Sequence, residues 1–318
     1  MNKLECSQNA AEIHKKVRSD LNSFVKPGVK LIDICNLIED KVKLYSSKYG
    51  NQVNNSIAFP TGISINNVAA HWTPSLNDTR ILKETDICKI DFGVHLNGWI
   101  IDSAFTVNYQ SKYEPLLDAS KEAVKAMINH MGVDTCISEL GTISEEIVKS
   151  YEIEDKGILK PILPIDNLTG HSIDRWNIHS GKFIPNIKNN NNQRISEDEF
   201  YAIEVFTSNG LGTTKLDMPS NHFMLKETYL KPKFKFKRTN NLLNLIKNNF
   251  STLAFCPRFI EKIDNTNYNV CLQELFNNQI INSYPPLIDI EGSKTAQFEH
   301  TIYINEDKKI ILSKGNDY

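Results

Sequence analysis

Apolar and polar positions alternate most regularly between Asp86 and Val107, DICKIDFGVHLNGWIIDSAFTV. Two apolar runs flank Asn97-Gly98, the dipeptide most strongly tied to two-residue hairpin turns. A two-residue loop there pairs Leu96 with Trp99, Val94 with Ile101 and Gly93 with Asp102. Asp91 lies two residues from Gly93, so it shares the face that Asp102 takes on the partner strand. The two carboxylates become diagonal neighbours, roughly 7–8 Å apart at the backbone. Set among Ile87, Ile90, Ile100, Ile101 and Phe105, they repel each other and are costly to bury unpaired. A divalent cation is the economical partner, because carboxylates on one face of a rigid ribbon make a ligand pair. Taken alone, the hairpin leans toward a plainer alternative, two exposed aspartates on a solvated sheet face.

The same patterning places the other elements. Residues near 8–25 and 30–47 read as helices separated by Lys26-Pro27-Gly28. In the second, Leu31, Ile34, Leu37, Ile38 and Val42 recur at helical spacing and predict one face packed on a sheet. Pro115 to Met131 predicts a third helix, and a shorter one is expected near 137–152. Two stretches rich in turn residues interrupt these elements, one between the second helix and the hairpin carrying His71, the other at 161–185 after the fourth helix carrying His171 and His179. A lone loop histidine such as His71 is ordinarily a surface residue. Asn186 to Gln193, NIKNNNNQ, reads as a polar loop without packing capacity.

Phe200 to Gly210 predicts a strand with Tyr201, Ile203 and Val205 on one face, and Glu204 on the other with Ala202 and Phe206. Thr295 to Ile304 predicts a second, with Gln297, Glu299 and Thr301 together. About 95 residues separate Glu204 from Glu299, and residues 240–282 within them read as helical. Lys231, Lys233, Lys235 and Lys237 alternate with Pro232, Phe234 and Phe236, and Arg238 follows. That pattern predicts a strand with one basic, solvated face, with an RNA contact as the sharper alternative.

Composition narrows the classes. A chain of 318 residues with net charge -2 suits one large domain or two modest ones, and gives no global drive toward nucleic acid or anionic membrane. The six cysteines show no C-x-x-C spacing and read as reduced thiols of a cytosolic protein. The first residues lack the apolar core of a signal peptide, and no apolar run reaches membrane-spanning length. The expected location is therefore cytoplasmic. Asp91, Asp102, His171, Glu204 and Glu299 together supply four carboxylates and one imidazole. That set is hard and oxygen-rich, balanced in charge by two divalent cations and unlike a structural Cys/His zinc site.

The blocks NNVAAHWTP, KIDFGVHLNGWIIDSAFTV, GHSIDRWNIHSGK, YAIEVFTSNG, SYPPL and AQFEHTI resemble, in order, the signatures of the type II methionine aminopeptidases. The resemblance covers essentially the whole chain, and the long helical insert is also a type II feature. It implies an α/β (α+β) pita-bread fold, two pseudo-symmetric halves around a central, mostly antiparallel sheet. Residues 1–318 would form one catalytic domain with a helical subdomain inserted at about 215–282. Two divalent ions (Co, Mn, Fe or Zn) are implied, with Asp91 binding one, Asp102 and Glu299 bridging both, and His171 and Glu204 completing the other. His71 and His179 match the histidines that contact substrate, and His71 the one alkylated by fumagillin-type epoxides. Phe59, Ile178, His222 and Tyr284 match positions lining the methionine pocket. The implied activity is hydrolytic removal of the initiator methionine from peptides and nascent chains, with Glu204 as proton shuttle.

Two departures bear on these expectations. Asp174 stands where the family usually has glycine, beside the Asn-rich loop, and both could alter the pocket rim. The long charged N-terminal extension of eukaryotic type II enzymes is not seen, which leaves ribosome association open. A monomer away from membranes is expected. An X-Pro aminopeptidase or prolidase shares the fold and metals but usually carries a whole domain before the metal half, where only 90 residues precede Asp91. A non-catalytic pita-bread protein that binds RNA or ribosomes would have lost ligands that this chain keeps.

Overall fold

The computed structural model describes residues 1–155, 157–230, 232–264 and 267–318. The chain opens with α1 (Lys3–Leu21) and α2 (Leu31–Ser46), then β1 (Asn55–Ile57), β2 (Gly62–Ile65), β3 (Val68–Ala70), β4 (Cys88–Leu96) and β5 (Trp99–Val107). A second helix pair follows, α3 (Glu114–His130) and α4 (Ile137–Lys149). Next come β6 (Glu152–Asp155), β7 (Ile158–Pro161), β8 (Leu163–Pro164), β9 (Thr169–Ile173), β10 (Phe183–Pro185), β11 (Glu199–Ser208) and β12 (His222–Leu225). The insert contributes α5 (Lys237–Phe250), α6 (Pro257–Ile263) and α7 (Asn269–Asn277), and β13 (Ile281–Tyr284), β14 (Leu287–Ile288), β15 (Thr295–Ile304) and β16 (Lys309–Ile311) close the chain.

The two helix pairs back two sheets. α1 packs on β4 and β5, while α3 packs on β11 and β15. Order repeats with them: two helices, then the strands they cover. This is the pita-bread arrangement, whose internal repeat left no trace in the sequence pattern. One sheet runs β1-β4-β2 with β5 paired to β4, and the other runs β10-β9-β11-β15-β16. Apolar side chains divide by strand alternation as expected. Tyr201, Ile203 and Val205 enter the core under α3 and α4, while Phe200 and Ala202 join the first core.

The seam between the sheets lies where β5 runs antiparallel to β15, and hydroxyls rather than a backbone ladder close it. Thr301 Oγ1 donates to the Asp102 carbonyl at 2.6 Å and accepts from its N–H at 2.8 Å. Ser103 Oγ donates to the Glu299 carbonyl at 2.7 Å, and Thr106 Oγ1 to that of Gln297 at 2.7 Å. Each bond satisfies a buried backbone group that would otherwise be orphaned. The seam thereby fixes β5 against β15 at the positions that carry carboxylates.

The hairpin pairs as its turn chemistry predicts: Leu96 with Trp99, Val94 with Ile101, Gly93 with Asp102. Gly98 holds φ +83, and a Cβ there would stand 2.4 Å from the Trp176 indole, so both turn geometry and packing require glycine. Nearby, His95 is 2% exposed, and its Nδ1 accepts the Gly98 N–H at 3.3 Å. Burial lowers its pKa to about 3. The folded value lies below the unfolded one, so this stabilisation is full above about pH 6.5 and drains as pH falls toward 3. In His95→Gln, urea unfolding followed from pH 7 to 3.5 should show a shallower acid-side loss, by up to ~1.4 kcal/mol per pH unit. An unchanged slope would remove His95 from the acid response.

Three expectations need correction. No strand forms at the basic alternation: residues 232–236 carry none, and Lys237 and Arg238 open α5 (Lys231 lies outside the described residues). Glu274 draws that backbone inward instead, accepting the Lys235 N–H at 2.5 Å and the Thr239 hydroxyl. Nor is the Asn-rich loop free of packing. Asn186 is fully buried and donates to the Leu168 carbonyl at 3.0 Å, and Asn191 and Gln193 accept the N–H groups of Ser138 and Ile137 at the start of α4. Helical character also stops short of 282, because α7 ends at Asn277 and Ile281–Tyr284 pairs with His222–Leu225 as a strand. The insert has its own core, with Leu243, Ile246, Phe255, Leu275 and Ile280 at its centre.

Candidate active site

Register brings the carboxylates together. Glu204 on β11 lies directly opposite Glu299 on β15, and His171 on β9 pairs with Ala202, two residues from Glu204. Across the seam, β5 presents Asp102, and β4 presents Asp91 opposite Ala104. One ligand atom each from Asp102, His171 and Glu299 lie within 4.8 Å of one another. His171 Nε2 stands 3.6 Å from Asp102 Oδ2 and 3.9 Å from Glu204 Oε1. Asp102 and Glu299 are buried and Asp91 is half-buried, so the solvated-aspartate alternative fails.

These strands form one wall of a cavity of about 530 Å³. All eleven residues singled out above line it: Asp91, Asp102, His171, Glu204 and Glu299, with His71, His179, Phe59, Ile178, His222 and Tyr284. Phe59 reaches it because Gly93, opposite Asp102, has no Cβ, which would lie 2.2 Å from the Phe59 ring. His179 stacks edge-on to His171 at 4.4 Å between ring centroids. The His71 ring lies 6.0 Å from those of both His222 and Tyr284. His71 is thus half-buried among functional groups rather than a surface loop residue, and its backbone is left-handed, with φ +61.

The alternation had already set Gln297 on the face of Glu299, without a role for it, and left Met224 unmarked. Gln297 lies two positions before Glu299, and Met224 two after His222, so strand period alone places each on the right face. Gln297 Nε2 donates to Glu204 Oε2 at 2.9 Å. Ala254 and Leu168 reach the cavity from loops, where no periodicity signals them. Asp174 does not line the cavity; it is exposed, and its Oδ1 accepts the Arg175 N–H within a tight turn.

The electrostatics are those of a site built for cations. Burial, and then the other carboxylates, hold Asp102, Glu204 and Glu299 well above the usual carboxylate range. Burial raises Asp91 to about 7, partly offset by a hydrogen bond from Gln297. The imidazoles move the other way. Burial foremost lowers His71 and His179 to about 4 and His222 to about 3, and His171 falls well below its ordinary value. Near neutral pH these rings are uncharged hydrogen-bonding groups that do not repel a cation.

The fit to a metal rests on orphaned atoms. Among the described residues, Asp91 Oδ1, Asp102 Oδ1 and both carboxylate oxygens of Glu299 are buried without a hydrogen-bond partner. Buried carboxylate oxygens in that state are costly unless something positive completes them. Four carboxylates and one imidazole match hard or borderline divalent ions.

Comparisons with known proteins agree with this chemistry. Residues 5–306 match the model of metallopeptidase family M24. "Methionine aminopeptidase 2A" of Arabidopsis thaliana is 42% identical over 311 residues, which is 98% of this chain and 70% of that protein. A solved structure described as a thermophilic Arx1 superposes with a TM-score of 0.83 at 17% identity, covering 99% of this chain and 91% of that one. The methionine aminopeptidase of Thermotoga maritima gives 0.65 at 18% identity, over 98% and 97%. At such identities the two structures speak for the fold alone.

Proposed function

This chain belongs to metallopeptidase family M24 and, within it, to the type II methionine aminopeptidases, and we propose how its own residues carry that hydrolysis of an N-terminal methionine. The observation that carries the reading is the convergence of eleven residues from both sheets and the insert on one cavity. The family is metal-dependent. Two divalent ions would be held by Asp91, Asp102, His171, Glu204 and Glu299, whose carboxylates and imidazole line the cavity. Ions in such a site supply Lewis-acid activation of a water and polarisation of the scissile carbonyl.

The protein groups do the rest. Glu204, oriented by Gln297, takes the proton of the attacking water and returns it to the leaving amine. His71 and His179, uncharged at neutral pH, each offer one N–H to the oxygen of the scissile carbonyl as negative charge develops there. Phe59, Ile178, His222 and Tyr284 enclose the methionine side chain. Residues 215–282 act as a subdomain within a single catalytic domain of residues 1–318. Among the described residues no helix is long and apolar enough to cross a membrane. The substrates in the cell are nascent chains with a free N-terminal methionine, met in the cytoplasm by a monomer.

The pocket sets a specificity prediction. Its apolar and aromatic lining suits an unbranched, polarizable side chain. Release of the first residue from short peptides, with each metal added to stripped enzyme, should show norleucine close to methionine and rejection of first-position Lys or Asp. Exchanging the thioether sulfur for a methylene leaves the length and shape of the side chain nearly unchanged, so discrimination between the two should be weak. Faster cleavage of Xaa-Pro peptides lacking methionine would reassign these residues to a prolidase-like pocket.

A further inference from the structure

The insert sends a fully buried guanidinium into the catalytic half. Arg258, in the first turn of α6, is 1% exposed. Its Nε donates to the Pro74 carbonyl at 3.0 Å, one terminal nitrogen to the Thr73 hydroxyl at 2.8 Å, and the other to Glu39 on α2 at 2.5 Å. Glu39 is fully buried and also receives Lys262 Nζ at 3.3 Å. Thr73 and Pro74 are the second and third residues after His71. A second grip comes from Asn221, which donates to the Thr73 carbonyl at 2.7 Å while its Oδ1 meets His222 Nδ1 at 2.9 Å. Glu39, Arg258, Thr73, Asn221 and His222 therefore form one continuous network beside the strained residue.

That strain needs a cause to persist. A non-glycine residue in the left-handed region is strained and endures only where its surroundings over-determine it. On the side toward the sheet, the Trp72 carbonyl accepts the Ile63 N–H at 2.9 Å. On the other side Arg258 and Asn221 hold Thr73 and Pro74, while the ring of His71 itself meets the Pro285 backbone. A buried ion pair is poor evidence for stability, because two apolar side chains of similar volume would pack as well. They could not aim donors at two consecutive residues of one loop, which the planar guanidinium does here.

We propose that Arg258 is a positioning residue for His71, so that the docked insert sets where the catalytic imidazole stands. The inference rests on the reading of His71 given above. The test is a double-mutant cycle of Arg258→Lys and His71→Asn, with kcat and KM measured on a methionyl peptide. Lysine keeps the charge facing Glu39 but cannot reach Thr73 and Pro74 together. In the otherwise unaltered enzyme kcat should fall about 10- to 100-fold, the scale of a small misplacement of a reacting group. In the His71→Asn background the same change should cost less than about twofold, since nothing is left to position.

Equal losses in both backgrounds, or no loss in either, would overturn the proposal. Should Arg258→Lys fail to fold, the charge-free pair Glu39→Gln with Arg258→Met takes its place in the cycle. If neither folds, Arg258 is a folding residue and the proposal is wrong. Failure of the two readings is distinguishable. His71→Asn at wild-type speed refutes the role of His71, whereas slow His71→Asn beside an unaffected Arg258→Lys refutes only the role of Arg258.

Discussion

Glu299→Gln and Asp102→Asn are each expected to abolish binding of both metal ions and, with it, methionine release. Each replacement keeps the shape of the side chain and removes the charge that the site offers to cations. Glu299 sits at the centre of the cluster, opposite Glu204 in register and within ligand distance of Asp102 and His171. Its two oxygens are buried and face other acids rather than an amide, hydroxyl or cationic donor among the described residues. Loss of turnover should exceed about 10³-fold, more than the 10–100-fold typical when only an outer partner of a ligand is removed.

Elemental analysis gives the first reading, with close to two ions per chain in the native enzyme and neither ion retained in the variant. Unfolding gives the second. Stripped of metal, the native protein holds several buried acids held above their usual range by burial and mutual repulsion. Stripped Glu299→Gln should therefore resist urea better than the stripped native protein, although it is inactive. Full metal content with ordinary turnover in Glu299→Gln would refute the ligand assignment outright.

His71→Asn is expected to lower kcat by about 10²–10⁴-fold, the usual worth of a proton-transfer or carbonyl-polarising group. Fold and metal content should hardly change. Asparagine tolerates the left-handed backbone that His71 adopts, so the turn through Thr73 and Pro74 can persist. His71 is not one of the five side chains proposed to hold the ions, so occupancy should stay at its native value. The interaction is made mainly in the transition state, and kcat should fall more than substrate affinity. A fumagillin-type epoxide should mark the same imidazole, with mass spectrometry locating the adduct on a peptide that contains His71. An adduct elsewhere, or a His71→Asn enzyme as fast as the native one, would return this histidine to an ordinary loop residue.

Much of this architecture is local chemistry and was legible in the chain. Asn97-Gly98 specifies a two-residue turn, and that turn alone fixes which residues of β4 and β5 face each other. Strand alternation likewise placed Glu204 and Glu299 away from the helices, since a one-residue slip would bury the wrong face. Motif resemblance added the order of the ligands and their partners. Period and turn rules do not report how separate sheets meet. The seam of hydroxyls between β5 and β15, which brings Asp102 to Glu299, joins residues nearly two hundred positions apart through contacts with no repeating spacing. The same is true of the insert. Lys233 to Lys237 reads as a strand by alternation, but Glu274, far along the chain, captures that backbone instead. Arg258 looks like any helical arginine until packing buries it against Glu39 and the turn after His71. Local sequence determines periodicity and turns because those depend on neighbours a few bonds away. Burial and long-range hydrogen bonding decide the remainder, because they depend on which distant surfaces the folded chain brings together.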